Sequence, residues 1–81
     1  MIEDPSLLRS RQLVAAALKC SLDTVTEDTN VESIPLWDSL GHMSIILALE
    51  QDLKRSLLAE EIAAIASVRA IARIMAKSEA D

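Results

Sequence analysis

The sequence has no phenylalanine, no tyrosine and a single tryptophan, Trp37. A β-sandwich draws on aromatic and β-branched side chains, whereas an aliphatic, alanine-rich core suits closely packed helices. One cysteine, Cys20, excludes an internal disulfide, and one histidine, His42, excludes a histidine metal cluster. With a lone thiol the simplest setting is reducing and cytoplasmic. One glycine and two prolines leave no flexible linker and no proline-rich disordered tract. The apolar run "MSIILAL" is far too short to span a bilayer. The opening "MIEDPSLLRSRQ" carries acids where a secretory leader carries bases. The expectation is a soluble cytoplasmic protein without a membrane span.

What is present is 51% hydrophobic and 26% charged over 81 residues, the composition of one small globular domain spanning 1–81. The net charge of −5 argues against a nucleic-acid partner. Its distribution is informative. Residues 20–53 hold seven acids (Asp23, Glu27, Asp28, Glu32, Asp38, Glu50 and Asp52) and no lysine or arginine. The flanking segments each carry one net positive charge. A solvated acidic loop would account for this, and so would a docking face for basic partners, because clustered charge steers association.

Helical periodicity organises the chain, and no segment alternates like a strand. Asp4 can cap a first helix that begins at Pro5, with Leu7, Leu8, Val14, Ala15 and Leu18 on its apolar face. A long polar loop follows, pinned by Leu22, Val25, Val31 and Ile34; loops of that length in small domains are often functional. The second helix runs from Ser39 to Leu53 behind an Asp38 cap. His42, Ile45, Ile46, Leu49 and Leu53 form one arc, and Leu40, Met43 and Leu47 a second stripe. Together they cover roughly 220° of the wheel, against ~100° for a single core-facing stripe. The second stripe is either further core or a surface left open for a partner. A short third helix is expected over Ala59–Ile65. A fourth, capped by Ser67, turns Val68, Ile71, Ile74 and Met75 inwards. The fold class is all-α: three main helices and one short one.

Asp38, Ser39 and His42 invite a hydrolase reading, since serine and histidine three apart on a helix can approach. The glycine-framed turn of a nucleophilic serine is absent, and no oxyanion donors are evident. Cys20 has no basic partner and reads as a small buried thiol. Glu60 and Glu61 suit the first turn of the third helix, where acids complement the dipole. Ser39 reads best as a residue acted upon by another protein. The N-terminus of a helix has unpaired N–H groups and partial positive charge, so a phosphate ester is electrostatically favoured there.

The stretch "DSLGHMSIILALEQDL" resembles the prosthetic-group site and second helix of acyl carrier proteins, whose pattern is Asp-Ser-Leu followed by an apolar helix ending in acids. The likeness continues through "LLAEEIAAIASVRAIARIM" and extends more weakly back through "ALKCSLDTVTEDTNVESI", covering about residues 5–77. The resemblance implies a four-helix acyl-carrier-like bundle that is a non-catalytic, monomeric carrier. Ser39 would receive 4'-phosphopantetheine from coenzyme A through a separate Mg²⁺-dependent phosphopantetheinyl transferase. Asp38 and Leu40 would complete the motif. The arm's thiol would hold acyl groups as thioesters and present them to acyl-loading and acyl-processing enzymes. By the same likeness, Leu40, Met43, Leu47, Glu50, Asp52, Glu60 and Glu61 would dock basic patches on those enzymes, and cargo could retreat between the helices. The pattern also departs from the family. Gly41 and Ser44 stand where carriers of general fatty acid synthesis have acids, "PLW" replaces small residues before the motif, and Val31 replaces a common loop phenylalanine. "WDSLGHM" looks more like dedicated carriers of specialised lipid, polysaccharide or secondary-metabolite pathways. The alternative is an unmodified carrier-like helical module that binds a protein partner.

Overall fold

The computed structural model describes residues 5–80 and the side chains of residues 5–78. Four α-helices lie within them: α1 at Pro5–Leu18, α2 at Ser39–Leu53, α3 at Ala59–Ala64 and α4 at Val68–Ala80. A 3₁₀ turn at Leu22–Thr24 sits in the long connection between α1 and α2. The fold is therefore a small all-α bundle with the expected long loop and one short helix. The α3 helix ends one residue before the expected Ile65, whose backbone is extended (φ −72°, ψ 98°). The expected cap Asp4 lies outside the described residues.

Helix α1 packs most extensively on α4 and next on α2. The buried core joins Val14, Ala15 and Leu18 of α1 to Ile45, Ile46 and Leu49 of α2 and to Val68, Ile71, Ile74 and Met75 of α4. The inward face of α4 is the one its periodicity indicates. The face of α1 is met in Val14, Ala15 and Leu18, with Leu7 packed against the core at its edge; Leu8 is only half-buried, and Ser6 and Ser10 are buried instead. The Ser10 hydroxyl donates to the Leu7 carbonyl at 2.9 Å, inside its own helix. Satisfied in this way, a serine can enter the core without an orphaned polar group.

The α1–α2 loop is anchored at several points. Val25 is fully buried, and Leu22 and Ile34 pack against the core as expected. Val31 differs from expectation: it is exposed, and the buried loop residues beside Val25 are Thr29 and Trp37. From α1, Arg11 Nε–H donates to the Val25 carbonyl at 2.7 Å, satisfying loop backbone that no ladder reaches. An isolated bridge pairs Asn30 with Ser67. There the Val31 N–H donates to the Ala66 carbonyl at 2.9 Å and the Val68 N–H to the Thr29 carbonyl at 3.0 Å. The loop is thus fastened to the α3–α4 junction, and the chain just before α2 has a fixed path.

Candidate functional site

Helix α2 begins at Ser39 because the residue before it closes the first turn. Asp38 is extended, and its carboxylate accepts the Gly41 N–H at 2.8 Å. Its carbonyl accepts the His42 N–H at 2.8 Å. The N–H groups of Ser39 and Leu40 have no carbonyl one turn behind them, as at any helix start, and face the same end as the Ser39 side chain. Ser39 is exposed.

An open recess beside it is lined by Val31, Trp37, Asp38, Ser39, His42 and Met43. Trp37 is only 2% exposed, and its indole N–H donates to His42 Nδ1 at 3.1 Å. The two rings are stacked, with centroids 6.4 Å apart. Among the described residues no hydrogen bond joins Ser39 to His42, so the contact that a hydrolase reading requires is not formed. His42 sits at the edge of the core, half-buried.

Gly41 has a packing reason. A β-carbon at this position would collide with the Leu36 carbonyl oxygen and lie 2.6 Å from Leu18 Cδ2. The loop before α2 and the end of α1 close onto the helix where that side chain would stand. Neutrality at position 41 is therefore imposed by the fold.

The apolar stripe of α2 is exposed: Leu40 at 80%, Met43 at 56% and Leu47 at 55%. Of the two readings of this stripe, further core is excluded within the described residues. The acids expected to accompany it make contacts of their own. Glu50 is half-buried, and its carboxylate accepts the Leu57 N–H at 2.9 Å. Asp52 pairs with Arg9 of α1 at 2.7 Å. Glu60 is exposed but lines a separate recess with Arg73 and Lys77 of α4. Glu61 is 8% exposed and receives Arg55 on both oxygens, each at 2.9 Å, and the Leu58 N–H at 2.8 Å. The Arg55 hydrogen bonds, followed by the Leu58 N–H, lower its carboxyl from 4.5 to about 2. Glu50, Asp52 and Glu61, expected as docking residues, each make a contact within the molecule. In the loop, Glu27 and Asp28 both reach Arg69, at 3.2 and 3.0 Å. Three of the seven acids in the middle of the chain thus meet an arginine of α1 or α4.

The Trp37–His42 pair was missed by sequence reasoning. Its only signal is an aromatic residue before a helix start with a hydrogen-bonding side chain one turn inside. Cys20 is half-buried and free. Among the described residues no three His, Cys, Asp or Glu side chains gather as a metal site, and no helix is long and apolar enough to cross a membrane. No protein-family model and no curated protein matches the chain.

Proposed function

We propose that the chain is a carrier of the acyl-carrier type, with Ser39 as the residue that receives 4'-phosphopantetheine. One observation carries this reading. An exposed serine hydroxyl stands at the first position of a capped helix, at the mouth of a recess with apolar walls. The donor set fits the group. The first-turn N–H groups of Ser39 and Leu40 suit a phosphodiester, and the exposed Val31 and Met43 offer apolar surface to an arm leaving the serine. When attached, the group supplies a thiol that holds acyl cargo as a thioester. The chain's own part is to hold Ser39 at a fixed, accessible point. Asp38 fixes the helix start, the bridge to Ser67 fixes the loop, and the stripe of Leu40, Met43 and Leu47 gives an enzyme something to grip. The departures around Gly41 favour a dedicated carrier over one of general fatty acid synthesis.

Incubation with coenzyme A, Mg²⁺ and a broad-specificity phosphopantetheinyl transferase should add the mass of one 4'-phosphopantetheine, and Ser39→Ala should abolish the addition. Trp37 lines the recess, so its fluorescence should change on modification. An unchanged mass, with a control carrier fully modified in the same mixture, returns the chain to the unmodified interaction module.

A further inference from the structure

Of the side chains that line the recess with Ser39, only one is placed to answer an anion attached there. Val31 and Met43 are apolar, and Asp38 is itself an acid, its carboxylate accepting the Gly41 N–H. Trp37 spends its single side-chain donor on His42 Nδ1, at 3.1 Å. No lysine or arginine occurs anywhere in residues 20–53. His42 is what remains. It stands three residues along α2 from Ser39, on the same side of the helix, and both line the recess. The buried indole, 2% exposed, holds the imidazole by one nitrogen. Among the described residues no hydrogen bond engages the other nitrogen, Nε2. No buried side-chain nitrogen among them lacks a partner either, so Nε2 is open to solvent.

We propose, building on the carrier reading, that His42 binds the phosphodiester on Ser39, donating a hydrogen bond from Nε2 and so holding the root of the arm in the recess. A phosphodiester brings negative charge beside the Asp38 carboxylate, and like charges this close repel. The first-turn N–H groups of α2 offset part of that repulsion. A hydrogen bond to an ionised oxygen is among the stronger ones, and His42 supplies it where the segment has no other base. Trp37 has a part in this as well. Its N–H can only donate, so it keeps Nδ1 turned inwards and Nε2 outwards.

His42 is the only histidine in the chain, so its ring signals are assigned without ambiguity. Long-range ¹H–¹⁵N spectra of the full ¹⁵N-labelled chain, recorded at one pH before and after loading with 4'-phosphopantetheine, should show Nε2 displaced by loading. The change in melting temperature on loading, each variant serving as its own reference, should be more favourable in wild type than in His42→Leu. His42→Gln should restore most of that difference, because its amide can accept from Trp37 and donate to the phosphate. The ³¹P signal of the loaded chain should likewise move in His42→Leu and move less in His42→Gln. Ring signals that coincide before and after loading would overturn the proposal while leaving the carrier reading intact. So would equal changes in melting temperature on loading wild type and His42→Leu. Should His42→Leu fail to fold, the wild-type ring signals decide alone. A wild type that accepts no phosphopantetheine defeats the carrier reading, and this inference with it.

Discussion

At the scale of single residues, Gly41 shows how packing can outweigh propensity. A glycine inside a helix is about 1 kcal/mol worse than alanine, so the sequence alone recommends Gly41→Ala as stabilising. The Leu36 carbonyl and the Leu18 side chain reverse that expectation, since the added methyl must displace backbone. Overpacking of this kind costs about 1–3 kcal/mol, and urea denaturation should find Gly41→Ala no more stable than wild type and up to about 2 kcal/mol less so. The glycine was visible in the sequence as an oddity, but its reason was not. The atoms that exclude a β-carbon come from a loop and from another helix, and no local pattern encodes their approach. Trp37 is similar. Its position beside Ser39 is plain from the sequence, while its burial and its bond to His42 depend on how the loop returns to α2.

At the scale of elements, what could be read was what is local. The bounds of α2 follow from the Asp38 cap and an apolar period of 3.6, and both act within a few residues. The second apolar stripe was also legible, but whether it was core or surface was not, and its exposure had to come from the packing. The partners of the acids could not be read. Arg9 reaches Asp52, and Arg69 reaches Glu27 and Asp28, across about half the chain, so a segment-by-segment charge count sees acids without their bases. Helix ends give a sharper test. Lys54 closes α2 in the left-handed region at φ 58°, where a β-carbon is strained and glycine is not. Its backbone N–H bonds the Glu50 carbonyl, which glycine keeps. Lys54→Gly should therefore stabilise the protein by about 1 kcal/mol, read as a higher urea midpoint with an unchanged slope.

At the scale of the whole molecule, α3 is too short to hold itself in place, and Arg55 supplies much of what does. Its guanidinium joins the turn after α2 to Glu61 of α3 and to Ser78 of α4, the last at 2.9 Å. Because the Glu61 carboxyl is lowered from 4.5 to about 2 on folding, the stability it contributes is full above about pH 4.5 and is lost as pH falls towards 2. Glu61→Gln should be less stable than wild type by about 1–3 kcal/mol at pH 6, and the gap should narrow between pH 4.5 and 2 in denaturation curves recorded at each pH. The extensive packing of α1 on α4 has a consequence for how the chain is made. Helix α1 finds its main partner only when α4, which follows it in the chain, has been synthesised. Until then Val14, Ala15 and Leu18 have only α2 to cover them, so the core stays incomplete until α4 docks.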